Sequence, residues 1–137
     1  MRRHLSLLLM LALAAACTHA TAIDSTPPRT TDVQTSDGRV QISVARGAIT
    51  VRNTAPHTIA IRLVEFEAST RVRLAPCTVA TCATVPPGER RAFPATDAIG
   101  WSANARDVVV HVWTMKPGPD GTLVADQLET VMIRPGA

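Results

Sequence analysis

Cys77 and Cys82 stand four residues apart, with Thr78-Val79-Ala80-Thr81 between them and Pro76 and Pro86 outside. In an oxidising compartment two thiols that close are expected to pair. Closing so short a loop constrains the unfolded chain by only about 2 kcal/mol, so the main effect is to hold in one shape a loop with few apolar anchors. A redox-active pair is the rival reading, but catalytic dithiols take C-x-x-C spacing at a helix start, and no helical pattern follows here. His57, His111 and Met115 carry copper-type donors. On one strand, however, His111 and Met115 would lie about 13 Å apart, and no cysteine precedes His111 closely. His111 is therefore expected to be a half-buried strand residue with a hydrogen-bond partner, and neither metal nor any other cofactor is predicted. No G-x-S-x-G, no H-E-x-x-H and no glycine-rich phosphate loop occurs, so no catalytic residue is assigned and an enzyme is not expected.

Trp101 and Trp113 could stack a ligand, but where aromatics are this scarce they count for more as packing, Trp113 in the core and Trp101 more openly placed. Arg62, Arg71, Arg73, Arg90 and Arg91 could form an anionic-ligand patch. Glu65, Glu67 and Glu89 sit among them, which favours a solvated, paired face.

Composition narrows the function classes. The chain has 137 residues, 46% of them hydrophobic, 3% aromatic, with no Tyr and ten Pro. One domain is the expectation at this length. There are 14 basic and 11 acidic side chains, and setting aside Arg2 and Arg3 leaves 12 against 11. Nucleic-acid binders concentrate positive charge and aromatics on one face, so no nucleic-acid partner is expected.

Arg2 and Arg3 precede a twelve-residue apolar run, Leu5 to Ala16, broken only by Ser6, and then Cys17. A helix of that length spans about 18 Å, short of a bilayer's roughly 30 Å hydrocarbon core, so residues 1–16 read as a cleaved export signal. Leu13-Ala14-Ala15-Ala16-Cys17 resembles a bacterial lipobox, although Ala14 stands where Leu is commonest. The resemblance implies a lipoprotein whose acylated Cys17 becomes the first residue, and Thr18 rather than Asp after it implies the outer membrane. Several acyl chains on one cysteine would hold the protein on a membrane stably. Cleavage at an ordinary A-x-A site, after Ala16 or Ala20, is the alternative and would release a soluble periplasmic or secreted protein.

Residues 17–36 hold six Thr, two Ser and two Pro and almost no large apolar side chain. They are expected to be a disordered tether, with the folded domain at 37–137. That domain reads as strands. Val40, Ile42 and Val44 alternate ahead of Arg46-Gly47, and Ile49 and Val51 follow. A two-residue turn at Arg46-Gly47 pairs Val44 with Ile49 and Ile42 with Val51, all on one face. The run Thr58 to Glu67 switches apolar parity midway, which predicts a bulge or a stretch buried on both faces. A loop at Ala68-Ser69-Thr70 would then pair Phe66 with Val72, Val64 with Leu74, Glu67 with Arg71 and Glu65 with Arg73. Short strands near Arg90 to Phe93 and Leu128 to Ile133, a central strand at Val108 to Trp113, and a loop at Pro117 to Gly121 complete the set.

Seven short strands and no long helical pattern after Ala16 predict an all-β fold, a single antiparallel β-sandwich. Thr50-Val51-Arg52-Asn53, a Pro-containing turn, the strand Ile59 to Leu63 and the later Pro86-Pro87-Gly88 resemble bacterial immunoglobulin-like domains over Val40 to Phe93. The resemblance implies an immunoglobulin-like fold and no activity. The function expected is a non-enzymatic, membrane-anchored envelope protein, binding a protein or serving as a structural module. Strand edges and the loops at Cys77–Cys82 and Pro117–Gly121 are its expected docking places. Two alternatives stand beside it: a periplasmic copper or redox accessory protein, and a secreted protease inhibitor using the disulfide loop.

Overall fold

A computed structural model describes residues 31–135; the export signal expected at residues 1–16 and the expected lipidation site Cys17 lie outside the described residues. Eight strands run in the order β1 (Thr31–Gln34), β2 (Val40–Ala45), β3 (Ala48–Asn53), β4 (Ile59–Glu65), β5 (Ala83–Val85), β6 (Arg90–Pro94), β7 (Val108–Pro117) and β8 (Leu123–Ile133), with a four-residue helical turn, α1 (Phe66–Ser69), after β4. They form two antiparallel sheets, β1-β2-β3-β6 and β5-β4-β7-β8. Among the described residues the fold is an all-β sandwich of eight strands.

The β2–β3 hairpin follows the alternation. Val44 pairs with Ile49 and Ile42 with Val51, and the turn uses positive φ at both Arg46 (51°) and Gly47 (74°), the geometry whose twist suits a two-residue hairpin. Between the sheets one core gathers Val40, Ile42, Val44, Ile49 and Val51 against Ile59, Ile61, Leu63, Val108, Val110, Val112, Val131 and Ile133. Phe93 is the one buried aromatic within it, among the described residues. Aliphatic β-branched side chains on facing pleats fill that space without large rings.

The parity switch in β4 is a stretch buried on both faces and not a bulge. Ile59, Ile61 and Leu63 face the main core, while Ala60 and Val64 are buried on the outer face. Pairing of β4 with β7 runs unbroken from Ile59–Thr114 to Glu65–Val108. Val108–Val112 is central, as its hydrophobicity predicts.

Two expectations need correction. No strand occupies 71–74. The chain turns at α1 instead, where the carboxylate of the buried Glu65 accepts the Ala68 N–H at 2.8 Å. Arg71 meets Glu67 at 3.4 Å one helical turn on, not across a hairpin. A three-residue hairpin loop needs a left-handed residue, and none of Ala68, Ser69 and Thr70 takes positive φ. The domain also begins earlier than Asp37. Thr31–Gln34 pairs with β2, half-buried Val33 packs on the core, and buried Thr35 accepts the Val40 N–H at its hydroxyl (3.1 Å). A short edge strand held chiefly by backbone hydrogen bonds leaves little apolar period to read.

Candidate functional site

The segment after α1 crosses the outer face of the β5-β4-β7-β8 sheet. Arg62 of β4 donates to the Ala75 carbonyl at 2.5 Å. Cys77 is buried there against Ala60 and Met115, with Trp113, Leu123 and Ala125 around it. Its sulfur lies at bonding distance from Cys82, with the Cα atoms 5.5 Å apart. The cysteine pair is thus a rivet with its inner half in an apolar pocket of the sheet, which explains how a loop otherwise lacking anchors stays down.

The four residues between the cysteines all face solvent. They form a closed turn: the Thr81 and Cys82 N–H groups donate to the Thr78 carbonyl at 3.1 and 3.0 Å. The Thr78 N–H donates to the Thr81 hydroxyl at 3.0 Å. Val79, 47% exposed, stands within this turn. Thr78 also forms an isolated bridge with Val124 at the start of β8. Val124 in turn packs against Gly118, since a Cβ built on that glycine would lie 3.3 Å from it. Two loops remote in sequence, Cys77–Cys82 and Pro117–Gly121, therefore meet through one valine. The second loop is closed by Gly118 N–H to the Thr122 carbonyl (2.8 Å) and Gly121 N–H to the Gly118 carbonyl (3.0 Å). The Asp120 carboxylate accepts both the Thr122 N–H and its hydroxyl, and these bonds to the ionised form hold its pKa below the usual carboxylate value.

The copper-type donors do not converge. His111 and Met115 share the outer face of β7, where Met115 is buried in the apolar pocket beneath Cys77. His57 lies in a cleft of about 460 Å³ whose lining includes Asp37, Thr114 and Glu129. Across that cleft the Ser36 N–H and hydroxyl donate to the Glu129 carboxylate at 2.5 and 3.1 Å, joining the turn after β1 to β8. Among the described residues no three His, Cys, Asp or Glu side chains gather in metal-binding geometry.

His111 is half-buried, as predicted, but its Nδ1 is buried without a partner, contrary to the hydrogen bond expected for it. The cause is its setting: Arg62 is its cross-strand neighbour on one side and Thr130 on the other, and the Arg62 guanidinium is directed to Ala75. Burial, and then the nearby Arg62 charge, push the His111 pKa below the ordinary imidazole value. Trp113 is half-buried over the disulfide pocket, with its Nε1 likewise unpartnered. Trp101, also half-buried, packs on the main core, whereas Trp113 packs on the smaller apolar cluster beneath the cysteine pair.

The arginines form no single patch. Arg62 and Arg71 belong to the β4–α1 side, whereas Arg90 and Arg91 lie on β6 of the other sheet, Arg91 stacked 5.4 Å from the Phe93 ring. Asn53 is the buried polar residue that sequence reasoning passed over. Its amide donates to the carbonyls of His57 and Val85, both at 2.9 Å, and its side-chain oxygen accepts the Ala55 N–H at 2.9 Å. A polar residue closing an alternating apolar strand just before a Pro-containing turn is the available signal.

Compared with protein-family models, with curated proteins and with solved structures, the chain matches none.

Proposed function

We propose that this protein is a non-enzymatic, lipid-anchored component of the bacterial envelope that binds a protein partner through the joined Cys77–Cys82 and Pro117–Gly121 loops. The observation that carries the reading is the Thr78–Val124 bridge, which merges two solvent-facing loops into one surface. Val79 and Val124 are exposed apolar side chains on it, and Pro117 and Pro119 are exposed beside them. Both loops are held by the cysteine pair, tight turns or proline, so little conformational freedom is lost when a partner closes over them. The Cys77–Cys82 turn is closed by bonds back to Thr78 and does not present the extended backbone that suits strand-like docking in a protease cleft.

Anchoring rests on the Leu13–Cys17 motif. A mature chain beginning at acylated Cys17 would leave fourteen residues, 17–30, before β1. Mass measurement of the mature protein tests this half of the proposal: a diacyl or triacyl mass on Cys17 is expected, and an unmodified chain beginning at Thr21 overturns it. Photo-crosslinking in intact envelopes tests the other half. A crosslinker at Val79 is expected to capture one defined partner, one at Thr50 on the opposite sheet to capture none, and Val124→Asp to abolish the Val79 adduct. Equal yields at both positions would overturn the assignment.

A further inference from the structure

We infer that the end of the sandwich from which the N-terminal chain leaves is a lipid-docking surface, on which the domain rests against the bilayer that Cys17 anchors it to. The inference builds on the lipoprotein reading but concerns a different surface from the partner-binding loops.

The topology defines the two ends. At one, Asn53 hydrogen-bonds to His57 and Val85, and the β7–β8 loop is found. At the other are the Arg46–Gly47 turn, α1, the start of β7 and the end of β8. Thr31 pairs with Val44 and so lies at this second end. The Ser36–Glu129 hydrogen bonds show that the β1 side of its sheet lies over β8. The chain therefore emerges at the corner where β8 finishes.

That corner is apolar. Direct pairings align Ile99, Val64, Val109 and Met132 in one row across the outer face of the second sheet, because cross-strand partners point the same way. Val64 and Val109 are buried, but Ile99 and Met132 at the ends of the row are 44% and 58% exposed. Phe66 and Val72, in and just after α1, are 43% and 46% exposed. The backbone brings α1 to the same place: the Phe66 N–H donates to the Asp107 carbonyl just before β7, and the Val72 N–H to that of Ala68. Among the described residues, four of the seven large hydrophobic side chains that stand exposed are thus at the end carrying the tether. Arg46 and Arg106 are exposed at the same end, as are Arg71 and Arg134, which pair with Glu67 and Asp107. Exposed apolar side chains with arginines at the same end suit the boundary between acyl chains and phosphate headgroups.

The chain outside the structure selects this occupant over a protein. Fourteen peptide steps from Cys17 to Thr31 span at most about 48 Å, so a membrane-held Cys17 keeps the corner within that distance of lipid. Tethering at this range raises the local concentration so far that a patch too weak to bind vesicles from solution still docks.

The test uses the lipidated protein in vesicles of phosphatidylethanolamine and phosphatidylglycerol, with brominated acyl chains as quencher. In a Trp101→Phe, Trp113→Phe background, Phe66→Trp emission is expected to fall by half or more, and Thr50→Trp emission to stay unchanged. Adding Ile99→Asp and Met132→Asp should restore the Phe66→Trp emission. The native sequence supplies a second measurement should those replacements unfold: Met132 oxidation by peroxide, read by mass, should be several-fold slower in vesicles than in the unanchored Cys17→Ser chain. Anchored protein without quenching or Met132 protection overturns the docking and leaves the lipoprotein reading standing. Quenching that is absent while the chain self-associates through position 66 assigns the corner to a second copy and overturns it too. A mature chain without acyl mass removes both.

Discussion

Asn53 ties together backbone segments that no strand pairing joins. It is fully buried, and its amide group satisfies three backbone groups from two segments: the Ala55 N–H and His57 carbonyl of the β3–β4 connection and the Val85 carbonyl of β5. Its backbone adds bonds to Glu89 and Gly88, tying in the Pro86–Gly88 turn. Asn53→Ala would leave those groups buried and unpaired, at a cost of about 3 kcal/mol. Urea unfolding is expected to show that loss as a lower midpoint at constant slope. A midpoint within error of the wild type would mean that water replaces the amide freely. Glu65 teaches the same lesson. Its sequence neighbourhood suggests an ion pair on an exposed strand face, yet its carboxylate is buried and caps α1. Neither role is visible in a linear pattern, because both depend on which backbone groups the tertiary fold leaves without partners.

Among the elements, the β2–β3 hairpin was fully legible: residue type, period and turn length agree on one register, and nothing distant opposes it. The segment from Phe66 to Cys82 was legible only at the cysteines. Val72 and Leu74 alternate with arginines as strand residues do, but the sheet already has its neighbours, since β4 pairs with β5 and β7. The segment is therefore left to cross the outer face, and the cysteine pair fastens it there. Replacing both cysteines by alanine should cost about 2 kcal/mol while far-UV circular dichroism stays unchanged, because none of the eight strands passes between them. Limited proteolysis should then cut between Thr70 and Cys82 in the variant and not in the oxidised protein. Loss of the strand signal itself would show that the rivet holds the sandwich together rather than one loop.

On the scale of the whole molecule, the domain boundary is the clearest quantitative test. A chain starting at Asp37 lacks β1, the Thr35 bonds to Val40, the packing of Val33 on the core and the Ser36 link to Glu129. One part-buried valine and a few net hydrogen bonds amount to about 3 kcal/mol, so that chain should melt well below one starting at Thr31. Equal melting temperatures would return the boundary to Asp37. The all-β class, the sandwich, the principal hairpin, the central strand and the proximity of Cys77 to Cys82 follow from the sequence alone, since each depends on side-chain period or on separations of a few residues. The tertiary structure alone decided that the two loops share a surface, that His57 stands apart from His111 and Met115, and that exposed apolar residues collect where the chain leaves toward Cys17. Those juxtapositions depend on segments far apart in the chain, which only the strand order within each sheet and the packing of loops and sheets on one another place.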